Sequence, residues 1–276
     1  MALTVAAPLR IAPFGVYAPA VVTGAITHSA VGNATRSTAD AVLNASVELV
    51  NGGATSATAA VVATVFDSTG SRIGTATASS GNIPAGQPTA STVAVPPIPL
   101  PKATLWSVED PALYVVQVEV KSSAGELLDA LNTTIGIRKI EFDADQGFLL
   151  NARRTKILGA CNHQDFGGLG VAVPDALQEH RVERMKSFGI NAWRTAHNPP
   201  TPGLLDATDK LGLLVWDENH KVDRSAAAET LVRRDRNHAS VIIWYATMSL
   251  PSGLHNRSVA HPFLLAAFHS KFIGEQ

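Results

Sequence analysis

The residues best suited to chemistry lie in the second half of the chain, where three successive predicted strands are each followed by polar side chains. Imidazole, guanidinium and carboxylate groups at such positions can transfer protons, bind a metal ion or hydrogen-bond to a polar ligand. The candidates are His163, Asp165, Arg194, His197, Asp217, Glu218 and His220. Because the carboxyl ends of parallel strands meet at one edge of a sheet, these side chains are predicted to share one rim.

Each candidate taken alone also has a structural interpretation. A histidine in a loop is usually solvated, and Asp217 could simply follow the end of a strand. Glu218 and His220 could be two ligands of a metal ion, but the sequence shows no third ligand beside them. Residues 167–170 (Gly-Gly-Leu-Gly) fit a flexible loop better than a nucleotide cradle. The joint pattern at three strand ends nevertheless favours a site.

Strands and helices alternate regularly in this half of the chain. Apolar runs predict strands over Thr155–Ala160, Ile190–Thr195, Leu213–Trp216 and Val241–Tyr245, and helical spacing predicts helices over Pro174–Phe188, Pro202–Leu211 and Ala226–Asn237. Short connections between such elements imply parallel strands joined by right-handed crossovers. The pattern predicts the first four strands of a TIM (β/α)8 barrel.

The first half predicts an immunoglobulin-like β-sandwich. Runs rich in Val, Thr and Ala occupy Ala41–Val50, Thr58–Phe66, Thr89–Val95, Leu113–Val120 and Leu127–Ile137. Gly70 and Gly125 stand where hairpin turns need a positive φ. About seven strands in roughly 120 residues suit such a sandwich. The proline-rich stretch 96–101 is predicted to be an extended connection over its surface.

Composition separates the two halves and excludes several functions. The chain has 276 residues, with 22 Lys+Arg against 23 Asp+Glu, and this balance gives no electrostatic footprint for nucleic acid or a membrane surface. Residues 1–138 hold only 6 of the basic and 8 of the acidic residues. The single cysteine, Cys161, excludes an intrachain disulfide. No apolar run approaches the roughly 20 residues of a membrane span, and without a clear signal peptide a cytoplasmic location is favoured.

Four stretches of the chain, residues 105–111, 159–164, 191–199 and 235–244, carry recognisable motifs. Together they resemble glycoside hydrolase family 2, the β-galactosidase and β-glucuronidase group. Asn191–Pro199, followed by the apolar run that ends at Trp216, is similar to the first signature of this family, with Asn198 where Tyr is common. Asp235–Trp244 is similar to the opening of the second signature. Residues 159–164 resemble the Gly-Val-Asn-(Arg/Lys)-His-Glu loop, with Gln164 in place of Glu, and Leu105–Pro111 is like a sandwich-domain motif of the family.

The resemblance implies a domain order and a set of site residues. The family has a jelly-roll domain, a sandwich and a complete barrel, which here implies a jelly-roll remnant in 1–17, the sandwich in 18–138, a half barrel in 139–250 and a divergent tail in 251–276. His163 and His197 would contact hydroxyl groups of the terminal sugar. Arg194 would brace the rim, and Asp217 and Glu218 would line the pocket floor. Magnesium is implied for complete family enzymes, although the sequence shows no full site.

The catalytic carboxylates that the resemblance implies are missing from the sequence. Retaining glycosidases need two carboxyl groups about 5–5.5 Å apart, and the family's acid/base closes a Gly-Asn-Glu shortly after the Trp of the fourth strand. Here Trp244 leads to Pro251-Ser252-Gly253, and no Asp or Glu occurs between Asp235 and Glu275. The sequence therefore predicts a truncated member of a β-galactosidase-type family that is inactive alone.

Other interpretations stay open on the sequence. A β-glucuronidase or β-mannosidase branch is one, and a non-catalytic carbohydrate-binding fragment is another. Unpaired barrel edges would favour an oligomer or a complementing partner chain. The apolar tail segment Pro262–Phe268 could cover such an edge or be an unrelated tail from a shifted reading frame.

Overall fold

The fold is taken from a computed structural model, which describes residues 5–86, 90–219 and 225–246. His220 and the predicted tail over 251–276 lie outside the described residues. The chain forms two compact units, Met1–Arg154 and Thr155–Gln276.

The first unit is built from strands. They are β1 (Leu9–Tyr17), β2 (Ala20–Val22), β3 (Thr27–Val31), β4 (Ala34–Leu43), β5 (Ser46–Asn51), β6 (Ala59–Phe66), β7 (Arg72–Ser79), β8 (Ser91–Ala94), β9 (Ile98–Leu105), β10 (Tyr114–Ser122), β11 (Leu127–Ile135), β12 (Ile140–Asp143), β13 (Gly147–Leu150) and β14 (Arg153–Arg154). Its sheets run β1-β5-β8, β11-β10-β6-β7 and β2-β4-β3, with β9 on β4. Alternate residues of β6 and β10 are buried, as a half-buried pleated strand requires. The predicted sandwich is confirmed.

Three local expectations for this unit differ from the structure. The run Ala41–Val50 is divided between β4 and β5, since the chain turns at Asn44, whose amide donates to the Pro19 carbonyl oxygen (2.9 Å). The proline-rich stretch, predicted as an extended connection over the surface, forms part of β9 and pairs with β4, because proline fits a strand whose ladder needs no amide at that position. The residues predicted to be a jelly-roll remnant include β1, which pairs with β5 in the sandwich.

A small antiparallel sheet, β12-β13-β14, completes the first unit. Asn151 in its last turn is buried and has a φ of 54°. Its side-chain amide donates to the Trp106 carbonyl oxygen (3.0 Å), and its oxygen accepts from the Lys139 amide (2.9 Å). These bonds tie the small sheet to a tryptophan of the sandwich unit. The unit therefore extends to Arg154, beyond the predicted end of the sandwich at residue 138.

The second unit alternates strands and helices. They are β15 (Gly159–Asn162), α1 (Asp175–Ser187), β16 (Ala192–Thr195), α2 (Pro202–Leu211), β17 (Leu214–Asn219), α3 (Ser225–Asp235) and β18 (Val241–Ala246). The four strands pair in parallel in the order β15-β16-β17-β18, which confirms the predicted half barrel. None of the helices in the described part of the chain is long and apolar enough to cross a membrane.

The residues at its two ends explain why helix α2 was predicted with its observed bounds. Helix α2 has the predicted bounds because Pro202 fits its first position, the Thr201 hydroxyl accepts from the Leu204 amide (3.3 Å), and Gly212 stops it with a φ of 74°. Two strand predictions were displaced. The first barrel strand is Gly159–Asn162 rather than Thr155–Ala160, and β17 continues past Trp216 to Asn219.

Candidate functional site

The centre of the site is an ion pair between neighbouring parallel strands. Arg194 on β16 lies in register with Trp216 on β17, so Glu218, two residues further along, lies on the same face of the sheet. Arg194 donates from Nε to Glu218 Oε1 at 2.7 Å. The Glu218 side chain is only 1% exposed, against 30% for Arg194. The arginine therefore shields a buried carboxylate from its solvent side.

Thr195 fixes the end of β17 that carries this carboxylate. Its Oγ1 accepts from the Glu218 backbone amide (2.8 Å) and donates to the Trp216 carbonyl oxygen (3.3 Å). The side chain thereby continues the contact between the two strands beyond their last paired residues. The sequence did not suggest Thr195 as a site residue, because threonine is common in strands for reasons of packing alone.

Two histidines lie at the exposed side of the ion pair. His197 Nδ1 is 3.1 Å from Glu218 Oε2 and 3.2 Å from Arg194 Nη2. Nδ1 can donate to the carboxylate when it carries a proton and accept from the guanidinium when it does not. The ring of His163 meets that of His197 edge to face, with 5.7 Å between the ring centroids. The structure therefore brings His163, Arg194, His197 and Glu218 together as predicted.

The lone cysteine also belongs to this cluster. Arg194 Nη1 donates to Cys161 Sγ at 3.2 Å, and the guanidinium lies 5.4 Å from the centroid of the Trp216 ring. The hydrogen bond with Cys161 raises the pKa of Arg194, burial opposes it, and the hydrogen bond and charge of Glu218 raise it further. In the sequence, Cys161 served only to exclude an intrachain disulfide. Its place on β15, beside β16, could have suggested the contact with Arg194.

Asp217 and Asp165 are not part of this cluster. Asp217 precedes Glu218 in β17 and so points to the opposite face, where burial and the charge of Asp235 raise its pKa well above 3.8. Arg234 binds both carboxyl oxygens of Asp235, at 2.6 and 2.7 Å. Asp165 is exposed in the loop after β15. The resemblance implied that both Asp217 and Glu218 line the pocket floor. In the structure, only Glu218 of these two faces the cluster.

The described residues do not fit a magnesium site. No group of three or more His, Cys, Asp or Glu side chains within the described ranges could hold a metal ion. Both oxygens of Glu218 already have partners, Arg194 on one and His197 on the other. His220, the second ligand suggested by the sequence, lies outside those ranges.

The arrangement can bind a polar neutral ligand. A carboxylate neutralised by a guanidinium is stable in a buried position, while the imidazole beside it is 42% exposed and can donate or accept a hydrogen bond. A sugar hydroxyl group both donates and accepts, so it matches this combination. Proton transfer by a pair of carboxyl groups would need a second carboxyl group facing Glu218, and the described contacts of Glu218 are to Arg194, His197 and Thr195.

Comparisons with known proteins agree on one family. Residues 27–138 match the family model "Glycosyl hydrolases family 2", and residues 142–227 match "Glycosyl hydrolases family 2, TIM barrel domain". The chain is 34% identical over 220 residues to the β-galactosidase BoGH2A of Bacteroides ovatus, covering 74% of this chain and 25% of that protein. It is 30% identical over 167 residues to a β-glucuronidase of Bacteroides fragilis, covering 54% of this chain and 24% of the other.

Solved structures show the same likeness. A family 2 glycosyl hydrolase from Bacteroides cellulosilyticus superimposes with a TM-score of 0.75 at 27% identity, over 87% of this chain and 32% of that one. A β-glucuronidase from Bacteroides uniformis gives a TM-score of 0.70 at 26% identity, over 87% of this chain and 29% of the other. The chain therefore spans about a quarter to a third of the length of these relatives.

Proposed function

The chain belongs to glycoside hydrolase family 2, and on this premise we propose that it supplies the rim that binds the terminal sugar of a β-galactoside. The observation that carries the proposal is the cluster in which Arg194 and His197 hold the buried Glu218. His163 stands beside His197 at the exposed side of this cluster. Within it, His163 and His197 contact sugar hydroxyl groups, Arg194 braces the rim, and Glu218 lines the floor.

A neutral sugar suits this rim better than a sugar acid. Arg194 is already paired with Glu218 at 2.7 Å, so a uronate carboxylate would have to compete with a buried carboxylate for the same guanidinium. Galactose offers hydroxyl groups only, and these can share the exposed histidine edges without breaking the pair. β-Glucuronide binding is the alternative, because relatives with that name are also similar to the chain.

We propose that the 276-residue chain binds the sugar without hydrolysing the glycosidic bond. Retaining hydrolysis needs a nucleophile and an acid/base about 5–5.5 Å apart. No Asp or Glu occurs between Asp235 and Glu275, the stretch in which the family places its acid/base. Glu218, with both oxygens engaged, serves to hold the rim.

The two outer edges of the described parallel sheet can pair with further strands. Strands β15 and β18 are the two outer strands of the described parallel sheet, and parallel sheet edges are normally covered. We propose that further barrel strands pair with these edges, from the rest of a longer polypeptide or from a complementing chain. Mass measurement in cell extract tests the second source. A complex heavier than the monomer supports it, and a monodisperse monomer counts against it.

Titration calorimetry with methyl β-galactoside and methyl β-glucuronide tests sugar binding. The expected result is millimolar binding of the galactoside, weaker binding of the glucuronide, and loss of both in His197→Ala. His180→Ala is the matched control, because the His180 side chain is 59% exposed on α1 and pairs only loosely with Glu183 (3.9 Å). No heat with either sugar, or equal losses in the two variants, would reject the proposed rim.

Nitrophenyl β-galactoside tests the second half of the proposal. No turnover is expected from the purified chain. Turnover that is abolished in His197→Ala and absent from a mock preparation would show that the chain carries its own catalytic carboxylates.

A further inference from the structure

Arg181 connects helix α1 to the loop that carries His163. From the middle of helix α1 it donates through Nη2 to the His163 carbonyl oxygen (3.0 Å) and through Nη1 to Gln178 Oε1 (3.2 Å). Its guanidinium carbon lies 5.8 Å from the centroid of the Phe166 ring and 5.0 Å from that of the Trp193 ring. One side chain thus contacts the loop at two points and the body of the second unit at two others.

This loop, residues 163–174 between β15 and α1, is called here the His163 loop. Its residues 163–172 are exposed, whereas Val173, beside the start of α1, is buried. Phe166 and Gly170 close a tight turn inside it, with N–O distances of 2.9 and 3.0 Å, and Gly168 and Gly170 adopt positive φ. These bonds shape the turn but do not hold it against the sheet. Contacts from outside the loop are therefore needed to set where His163 stands.

We propose that Arg181 is a positioning residue that holds His163 edge to face against His197. The guanidinium is suited to this task because it is planar, stacks on aromatic faces and donates in fixed directions at the same time. Gln178 is 2% exposed and Trp193 is 2% exposed, so two of its four contacts are with buried side chains.

The charge of Arg181 survives its partial burial. Burial lowers the pKa of Arg181, and the nearby charge of Asp165 raises it again. An arginine stays protonated in proteins at neutral pH, so the bond to the His163 carbonyl oxygen is charge-assisted. That Arg181 thereby affects sugar binding rests on the proposed function. That Arg181 positions His163 does not.

The test compares Arg181→Met with Arg184→Met by amide hydrogen exchange. Arg184 is one helical turn away and exposed, and it also stacks on an aromatic ring, that of Phe188 (5.3 Å). It therefore controls for the loss of a guanidinium and a cation–π contact from α1. We expect exchange in the His163 loop to accelerate about tenfold in Arg181→Met, the size of one lost charge-assisted hydrogen bond, and to stay unchanged in Arg184→Met.

A second readout follows the histidine itself. The wild-type chain should show a nuclear Overhauser effect between the ring protons of His163 and His197, and Arg181→Met should lose it while Arg184→Met keeps it. Arg181→Lys keeps the charge without the planar fork and should fall between the two. If Arg181→Met does not fold, as amide exchange in β16 and β17 would reveal, Arg181→Lys decides the question by the same two readouts.

The outcomes separate this proposal from the proposed function. Faster loop exchange and a lost ring contact support positioning by Arg181 even if the wild-type chain binds no sugar, in which case only the sugar-binding rim is rejected. Unchanged exchange and an unchanged ring contact in the Arg181 variants overturn the positioning role, whatever the sugar titration shows.

Discussion

The sandwich and the half barrel bury different kinds of side chain. The sandwich has one continuous core of Val, Leu, Ile and Ala, whereas the half barrel has small apolar clusters. Most buried polar and charged residues belong to the half barrel, namely Gln178, Thr195, Thr208, Asp209, Asp217, Glu218, Asp235 and Ser240. Buried polar groups are stable only when paired. The difference teaches that the first unit is stabilised mainly by apolar burial, whereas the second also buries polar groups, of which Thr195 and Glu218 belong to the site.

The two units also differ in how their carboxyl groups titrate. In the sandwich unit, the hydrogen bond from Thr69 lowers the pKa of the exposed turn residue Asp67, and backbone amides lower the pKa of Asp143. In the half barrel, burial raises the pKa of Asp206 and Asp217. The charged form is thus favoured at Asp67 and Asp143 and disfavoured at Asp206 and Asp217, so these two pairs of groups should make stability respond to pH in opposite directions.

The largest effect is expected from truncation in the apolar unit. Trp106 is fully buried, and Trp106→Ala should lower the free energy of unfolding of the sandwich by about 3–5 kcal/mol. Hydrogen exchange should show the loss in the sandwich strands more than in β16 and β17. Leu127→Ala is the control, because Leu127 is 57% exposed on β11. An equal loss in both variants would show that burial of apolar side chains does not account for the stability of the sandwich.

Breaking the ion pair of the half barrel should have the next largest effect. Glu218→Ala leaves Arg194 and His197 without their carboxylate, and because both are partly exposed the cost should be about 2–3 kcal/mol. Chemical denaturation followed by tryptophan fluorescence measures it. Glu179→Ala, which removes an exposed pair with Lys210 at 2.6 Å, should cost less than about 1 kcal/mol. Similar costs for the two would mean that burial does not strengthen the site pair.

Asp217→Asn should stabilise the half barrel at neutral pH. Because the pKa of Asp217 is raised on folding, the unfolded chain loses its proton first as pH rises above 3.8, and stability falls until the folded carboxyl group ionises too. The amide removes this loss, for a gain of about 1 kcal/mol at pH 7 and none at pH 3. Unfolding curves at the two pH values measure it. Asp235→Asn should instead destabilise, because Asp235 is paired with Arg234; a loss in both variants contradicts the account.

The smallest effect is expected in the turn of the sandwich unit. Since the pKa of Asp67 is lowered on folding, its contribution is present above 3.8 and is lost as pH falls through the lower folded value. Asp67→Ala should therefore reduce the melting temperature slightly at pH 7 and leave it unchanged in strong acid. If Asp67→Ala lowers the melting temperature more at acid pH than at pH 7, the predicted pH dependence of Asp67 is wrong.

The sequence predicts the frame of both units better than their side-chain contacts. Helix α2 was predicted with its observed bounds because Pro202 and Gly212 act locally. The proline-rich stretch was predicted to be extended but not to be a paired strand, because β9 is fixed by its pairing with distant residues of β4, which local composition does not show. Pairing with β18 likewise carries β17 through Glu218 to Asn219.

The candidate site was predicted in part, for a similar reason. Strand ends and motifs were enough to group His163, Arg194, His197 and Glu218. They did not separate Asp217 from Glu218, because the predicted strand ended at Trp216. Only a strand that continues through both residues places their side chains on opposite faces of the sheet. Thr195 and Arg181 act through hydrogen bonds to backbone atoms of other elements, and a sequence pattern gives no signal for such contacts.

Mapping a bound sugar onto the chain tests the central claim most directly. Nuclear magnetic resonance spectra recorded during titration with methyl β-galactoside report which residues respond. The account predicts saturable shifts at His163, Arg194, His197 and Glu218, with the sandwich strands unaffected. Shifts confined to the sandwich, or none at any residue of the half barrel, would contradict it.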